Sequence, residues 1–321
     1  ATEEVVPCGE LAGPVESTVP YFLAANTISL ADRFAEAGEP WFIWHNNWGP
    51  HGPYYAPTEY VDMYRDVEIE PWPNFDWPAR RVQGPHQTKL HPRAELLDWS
   101  HWQVALRRYY AFTTLIDHQI GRVVEHLERT GQLDNTVIIF TSGHGETCGS
   151  HGGLTDKGWH HFEETHRIGM IVRRPGDPNA GQVRDEFASN ADIHPTICEL
   201  AGADYDTSAM HGASLLPLVA GDATDWRDEV VTEFGGVNGL AMTQRTIRCG
   251  DLKYGYNCCC EDELYDLARD PHETRNLINE PDYFAAAQDL RHRLLDWMER
   301  TGDQARRVYK PSNIDYYDRR A

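Results

Sequence analysis

Apolar residues recur every three or four positions along several stretches of the chain, and this spacing predicts amphipathic helices. The longest runs from Val104 to Thr130, where Gly131 ends it. A second, Phe284 to Arg300, closes the chain, and shorter helices are predicted at Thr27–Ala37 and, capped by Asn190, at Ala191–Leu200.

Short apolar runs between these helices predict strands. Three lie in the first part of the chain, at Trp41–His45, Thr136–Thr141 and Gly169–Val172. From Glu229 onward the pattern favours antiparallel strands, carried by EVVTEF, LAMTQRTIRC, DLKYGY and ELYDL. Residues 1–20 are interpreted as a loose lead-in and residues 66–100 as an irregular surface segment rich in proline and tryptophan.

Strand–helix alternation followed by a small strand group predicts an α/β fold with an antiparallel addition. We predict an α/β core over residues 1–225, a small antiparallel subdomain with its closing helix over residues 226–303, and a poorly packed polar tail over residues 304–321.

The charge composition limits the classes of binding partner that we expect. The 321 residues carry 50 acidic against 29 basic side chains, a net charge of −21. Nucleic acids and anionic membranes need a positive surface, so neither is expected as a partner. No apolar run is long enough to span a membrane, and no signal peptide is visible. Seven cysteines without a paired framework favour a reducing, cytoplasmic compartment, and the oligomeric state is left open.

Candidate chemistry gathers in the loops that follow two predicted strands. His51 follows Trp41–His45, and the stretch "SGHGETCGSHGGLTDK" after Thr141 carries His144 and ends at Lys157. Ligands bind beyond the carboxyl ends of strands in open α/β sheets, so this pattern predicts an anion or metal site. A zinc site of His144, His151, His160 and His161 and purely structural histidines are alternatives, and Glu163 and Glu164 are interpreted as solvated or capping residues.

Five separated blocks, in order, resemble the sulfatase family of the alkaline phosphatase superfamily. They read "PWFIWHNNWGPHGPYYAPTEYVDMY", "TVIIFTSGHGETCGSHGGLTDKG", "ADIHPTICELAG", "HGASLLPLVAG" and "DELYDLARDPHETRNLI". The resemblance covers roughly residues 27–300. It implies a mostly parallel sheet sandwiched by helices, without the family's first strand region, followed by a small antiparallel sheet and a closing helix.

The resemblance also implies a calcium-dependent hydrolase of sulfate esters whose nucleophile is formylglycine. His51 matches a substrate-facing catalytic histidine, Lys157 a lysine that contacts the sulfate group, and His144 a histidine beside the metal. The substrate implied is a sulfate ester or another anionic small molecule or glycan.

Two departures from the family pattern bear on activity. Gly143 stands where the family has a metal-binding aspartate, and glycine offers no side-chain oxygen to calcium. The family's C/S-x-P-x-R nucleophile motif is absent from these 321 residues, together with the strand that carries paired aspartates. We therefore expect doubtful calcium binding and no turnover by this chain alone. A non-catalytic relative that binds an anion and a phosphodiesterase or phosphonate hydrolase of the same superfamily are the alternatives.

Overall fold

The computed structural model describes residues 6–76, 97–157, 161–236, 243–257 and 261–307. Its helices are α1 (Val19–Ala37), α2 (Thr58–Asp62), α3 (Trp99–Arg129), α4 (Ser150–Gly153), α5 (Glu163–His166), α6 (Ile193–Ala201), α7 (Leu216–Ala220) and α8 (Phe284–Thr301). Its strands are β1 (Cys8–Leu11), β2 (Tyr54–Pro57), β3 (Ile138–Thr141), β4 (Met170–Arg173), β5 (Glu229–Phe234), β6 (Gln244–Cys249), β7 (Leu252–Asn257) and β8 (Glu263–Asp266).

Capping residues set the ends of the two long helices, α1 and α3, which pack against each other. The Thr18 hydroxyl accepts a hydrogen bond from the Tyr21 amide, and α1 therefore begins eight residues before the predicted start. Asp98 caps α3 in the same way, so this helix begins at Trp99 rather than at Val104. Gly38, in the left-handed region, ends α1 as predicted.

The strands form three separate sheets in the described residues. β1 and β2 pair in parallel, β3 and β4 pair antiparallel, and β5 to β8 form a four-stranded antiparallel sheet in sequence order. The predicted α/β core followed by an antiparallel sheet and a closing helix is confirmed. Residues 1–20 are not wholly a loose lead-in, because Cys8–Leu11 finds its partner in β2, more than forty residues along the chain.

The prediction of a strand at Trp41–His45 is wrong, because this segment pairs with no described strand. Side chains still alternate along this segment, with Phe42 and Trp44 61% and 65% exposed, but it forms no ladder with any described strand. An extended segment without a hydrogen-bonded neighbour is not a strand, however apolar its sequence. The alternation in the sequence was therefore informative about the extended shape and not about pairing.

The closing helix α8 covers one face of the four-stranded sheet. Its buried Leu290, Leu294 and Met298 pack against Ile247 of β6 and Tyr254 of β7. Strand side chains alternate between faces, so the residues next to these two in sequence point to the opposite face, toward the α/β core. That second face carries the polar side chains of Thr246, Arg248 and Lys253, which contact His161 and Glu163.

Two other predictions concern the carboxyl-terminal end and membrane spans. Gln304–Arg307 forms a 3-10 helix with Ala305 buried against α8, so the tail is packed at its start, and residues 308–321 lie outside the described residues. No helix in the described ranges has the length and apolar character needed to cross a bilayer. The boundaries at 225/226 and 303/304 stay predictions.

Candidate functional site

Lys157 and His51 meet although they are 106 residues apart in the chain. The Lys157 Nζ donates a hydrogen bond of 2.6 Å to His51 Nε2, while His51 Nδ1 donates one of 2.8 Å to the carbonyl oxygen of Gly52. Donation from Nδ1 and acceptance at Nε2 define the neutral tautomer of His51. The imidazole is thus anchored on its backbone side and presents its lone pair to the ammonium of Lys157.

His144 lies beside this pair. Its ring centroid is 6.0 Å from that of His51 in an edge-to-face arrangement, and its Nδ1 donates a 2.7 Å hydrogen bond to the Gly145 carbonyl oxygen. The remaining nitrogen, Nε2, therefore carries the lone pair. On another side of His51 lies Trp48, with ring centroids 5.0 Å apart and the indole 71% exposed. The structure thus brings together the three predicted side chains, whose catalytic and metal-binding roles stay predictions.

Residues 142–157 form the site loop, which holds His144 and Lys157 through backbone contacts. Gly145 donates a hydrogen bond of 2.9 Å to the Thr165 carbonyl oxygen. A Cβ atom at Gly145 would lie 1.9 Å from the carbonyl oxygen of Glu164, so only glycine fits this close approach. The amide and hydroxyl of the buried Thr147 both donate to the Asp156 carbonyl oxygen, which closes the loop just before Lys157.

Asp156 is a site residue to which the sequence prediction gave no role. Its backbone has a φ of 63°, a left-handed conformation that aspartate tolerates better than most residues. Its Oδ1 accepts the backbone amide of Lys157 at 2.8 Å and lies 3.2 Å from the Lys157 Nζ and 3.9 Å from His51 Nε2. The signal for a role of Asp156 in the sequence was its adjacency to Lys157. That signal is weak, because the side chains of adjacent residues in a strand or helix point in different directions. The left-handed turn is what directs both side chains to His51.

Glu146 places a second carboxyl group behind these side chains. Burial, and then the charge of Asp156, raise the pKa of Glu146 above its usual range, while His51 and Lys157 act in the opposite direction. Its Oε1 is buried without a hydrogen-bond partner among the described residues. The site therefore combines one ammonium with two carboxyl groups and two imidazoles.

These residues do not fit a calcium ion by themselves. Calcium takes about six to eight oxygen ligands. Beside His144, position 143 offers no side chain, and a Cβ there would meet no atom within 4 Å. Asp156, the carboxylate near His51, is already paired with Lys157. We therefore derive no chemical step that passes through calcium.

A different cluster, between the α/β core and the antiparallel sheet, has ligand atoms spaced as in metal sites. His151, Glu164 and Glu273 place these atoms within 4.8 Å of one another, the one such group in the described parts of the chain. However, the ammonium of Lys253 lies 2.5 Å from Glu273 Oε1 and 3.1 Å from Glu163 Oε1. A buried cation is thus already supplied by the chain.

This cluster corrects two interpretations of the sequence. Glu163 is not a solvated residue, because it binds both Lys253 and Arg248, and Glu164 accepts a hydrogen bond from Asn74. The zinc set is not assembled either among the described histidines, since His151 pairs with Glu164 while His161 lies 2.6 Å from the Thr246 hydroxyl. His160 lies outside the described residues.

Comparison with known proteins finds two family models that match overlapping parts of the chain. The family model named Sulfatase matches residues 16–203, and the model of the carboxyl-terminal part of N-sulphoglucosamine sulphohydrolase matches residues 149–300. The chain is 29% identical over 310 residues to the multifunctional alkaline phosphatase superfamily protein PehA of Trinickia caryophylli, covering 86% of this chain and 59% of that protein. It is 31% identical over 244 residues to an N-acetylglucosamine-6-O-sulfatase of Bacteroides thetaiotaomicron, covering 74% and 41%.

Among solved structures, the phosphonate monoester hydrolase of Agrobacterium radiobacter superposes with a TM-score of 0.77 at 27% identity, covering 90% of this chain and 62% of that one. The phosphonate monoester hydrolase SpPMH of Silicibacter pomeroyi gives a TM-score of 0.75 at 25% identity, covering 91% and 62%. The chain spans about half the length of the curated relatives it matches.

Proposed function

Because the chain belongs to the sulfatase family of the alkaline phosphatase superfamily, we propose that Lys157 and His51 bind the anionic group of a sulfate ester or a similar ester. The observation that carries this proposal is the contact between the Lys157 ammonium and His51 Nε2. The Lys157 ammonium has three N–H donors and gives one to His51, so it can give another to an ester oxygen placed beside the pair.

The two side chains differ in what they supply. Lys157 is a compact positive charge that neutralises an oxygen of the ester as negative charge develops on it. His51, fixed through Nδ1 to the Gly52 carbonyl oxygen, has its lone pair at Nε2, where it can receive a proton and pass it to an ester oxygen. His144 lies at the rim with its Nε2 lone pair directed away from Gly145, in the position where the family pattern has a metal-side histidine.

Turnover needs a nucleophile as well. No cysteine or serine in the 321 residues stands in a C/S-x-P-x-R motif. We propose that this chain alone binds the ester without cleaving it, and that hydrolysis takes place only with a nucleophile supplied from outside these residues. A non-catalytic anion-binding protein would retain the same Lys157–His51 contact, and an adjoining coding sequence for the motif would favour the hydrolase.

The substrate is proposed from the relatives. One relative is named for a sulfated amino sugar, which supports a sulfated glycan or small molecule as the ligand. A phosphorus ester is the second candidate, because two superposable structures are phosphonate monoester hydrolases. We further propose that the α/β core over residues 1–225 forms this site and that residues 226–303 support it from outside.

Titration calorimetry with p-nitrophenyl sulfate in the presence of EDTA tests the binding proposal. Replacing Lys157 by Gln removes a charged hydrogen bond, which is worth about 1.5–3 kcal/mol, so affinity is expected to fall about tenfold or more. His51→Gln is expected to weaken binding as well, whereas His101→Gln, at a partly exposed histidine that pairs with Asp98, is expected to have no effect. Equal affinity in the wild type and Lys157→Gln would contradict the proposal, and release of p-nitrophenolate by the purified chain would contradict the expected lack of turnover.

A further inference from the structure

The carboxylate of Asp156 lies where it affects the charge of any bound ester. Its Oδ1 is 3.2 Å from Lys157 Nζ and 3.9 Å from His51 Nε2, the two atoms that bind the ester in the proposed function. An ester that contacts both nitrogens is therefore within a few ångströms of a fixed negative charge. The two charged groups nearest the ester are the positive ammonium of Lys157 and the negative carboxylate of Asp156.

The position of Asp156 is set by the backbone and not by the ligand. Its carbonyl oxygen accepts both the amide and the hydroxyl of Thr147, and its own carboxylate accepts the amide of Lys157. These bonds hold the left-handed turn in place. The carboxylate consequently stays near Lys157 when an ester arrives, because moving it away requires breaking the bond to the Lys157 amide.

We propose that Asp156 is a specificity residue that makes this site select esters with a single negative charge over esters with two. The inference rests on the proposed function and names its substrate class. Sulfate monoesters, phosphonate monoesters and phosphodiesters carry one negative charge at neutral pH, whereas phosphate monoesters carry close to two. Asp156 offsets part of the charge of Lys157, so the pair suits a ligand with a single negative charge, and the second charge of a phosphate monoester meets the repulsion of the carboxylate.

The site is partly buried, because the side chains of His51, Lys157 and Asp156 all have most of their surface covered. Charges in such a site are screened less than on the surface, so Asp156 repels a second negative charge on the ligand more strongly there. The selection therefore acts on charge and not on whether the central atom is sulfur or phosphorus.

Three aryl esters of similar shape separate these explanations in titration calorimetry with EDTA at about pH 8, well above the second phosphate pKa of about 6. They are p-nitrophenyl sulfate and p-nitrophenyl methylphosphonate, each with a single charge, and p-nitrophenyl phosphate with two. The wild type is expected to bind the first two with similar affinity and the phosphate more weakly. Tighter binding of the phosphate than of the sulfate would overturn the proposal.

Asp156→Asn removes the charge but keeps the shape and the tolerance for a left-handed backbone. The ratio of phosphate to sulfate dissociation constants is expected to fall roughly three- to tenfold in this variant. A loss of loop structure would instead weaken all three ligands together. Asp156→Gly, which suits the positive φ, is expected to change the ratio in the same direction, and Asp134→Asn, at a fully exposed side chain, is expected to leave it unchanged.

The two hypotheses fail in different ways. An unchanged ratio in Asp156→Asn, with binding that still depends on Lys157, overturns the charge selection and leaves the binding site intact. Binding that does not depend on Lys157 overturns the proposed function, and the selection with it.

Discussion

The ammonium of Lys253 lies 2.5 Å from Glu273 Oε1, and both side chains are almost completely buried, with 3% and 0% of their surface exposed. Lys253 also contacts Glu163 at 3.1 Å, so β7 is tied through one cation to α5 of the α/β core. The face of the antiparallel sheet opposite α8 is therefore attached to the core by charge pairing.

Removal of this buried cation is expected to destabilise the protein strongly. Lys253→Met leaves Glu273 without its cation and Glu163 with Arg248 alone, and breaking a buried pair in this way costs about 3–5 kcal/mol in the free energy of unfolding, measured by urea denaturation. Adding Glu273→Gln to this variant is expected to recover part of the loss, because Glu163 still pairs with Arg248. The exposed pair of Arg275 and Glu280 supplies the control, since ion pairs on the surface contribute little and Arg275→Met should cost far less. A loss in Lys253→Met as small as in the control would contradict this account.

Two glycines in the site loop provide a matched pair of alanine substitutions. At Gly145 a methyl group would collide with the Glu164 carbonyl oxygen, so Gly145→Ala is expected to lower stability by about 1–3 kcal/mol, as for other overpacked sites. At Gly143 nothing lies within 4 Å of the place that a methyl group would take, and Gly143→Ala should stay within about 0.5 kcal/mol of the wild type. Thermal unfolding measures both, and equal effects would show that the close approach is absent in solution.

Stability is expected to fall in mild acid because of His166. The His166 side chain is partly buried against Thr232 and the ring of His161. This burial, and to a smaller extent the charge of Lys253, lowers the pKa of His166 from 6.5 to about 3. Between these two values the unfolded chain binds a proton that the folded chain does not, so the contribution of neutral His166 is present above pH 6.5 and is lost as pH falls toward 3.

The difference between wild type and His166→Gln isolates this effect, since glutamine does not titrate. The wild type should lose stability relative to the variant by up to about 1.4 kcal/mol per pH unit within that window, as followed by urea unfolding at a series of pH values. A constant difference between wild type and His166→Gln across the window would contradict the prediction.

Asp192 and Arg227 form a second interaction whose removal should be costly. Both oxygens of the fully buried Asp192 bind Arg227, and they also accept the amides of Ala213 and Ser189. Asp192→Ala is expected to lower the free energy of unfolding by about 3–5 kcal/mol, because it leaves the guanidinium and both amides without their acceptor. The exposed Asp206, which also accepts a backbone amide, is the control, and Asp206→Ala should cost far less. Comparable losses in both variants would refute the special role of the buried pair.

Calcium is expected to have little effect on the purified chain. The residues around His144 offer an imidazole and no free set of oxygen ligands, so addition of calcium after EDTA treatment should leave the unfolding temperature unchanged. Gly143→Asp should add little, since a single carboxylate is far from the six to eight oxygens, roughly, that calcium takes. Calorimetry that gave a dissociation constant of about a micromolar or below for the unmodified chain would contradict this expectation.

Local signals in the sequence predicted most elements and few of the contacts between them. The stripe of apolar residues and the glycine stops located α1, α3 and α8, although the capping roles of Thr18 and Asp98 were missed and both helix starts were placed too late. β1 was missed because its partner lies more than forty residues away, and a strand without its partner has only a weak pattern of its own.

The same distinction applies to the site. His51, His144 and Lys157 could be selected from glycine-rich loops after apolar runs and from family blocks, which are local features. The role of Asp156 depends on its own left-handed backbone conformation, and the ion pair of Glu163 depends on Lys253, ninety residues along the chain. Neither the turn nor the ion pair leaves a periodic pattern that a sequence reader could recognise.

The hydrogen bonds that close the site loop also govern how the protein can be altered. Thr147 is hydrogen-bonded to Asp156, Gly145 to Thr165, and Gly149 to Leu154. These bonds connect the residues of the site loop, so a change in the backbone at one position affects the others. Insertions in this loop are a poor way to admit a bulkier ester, because they would displace both His144 and Lys157 from the site. Substitution of individual side chains at the edge of the site, with these hydrogen bonds kept, is the better way to change which ligand binds.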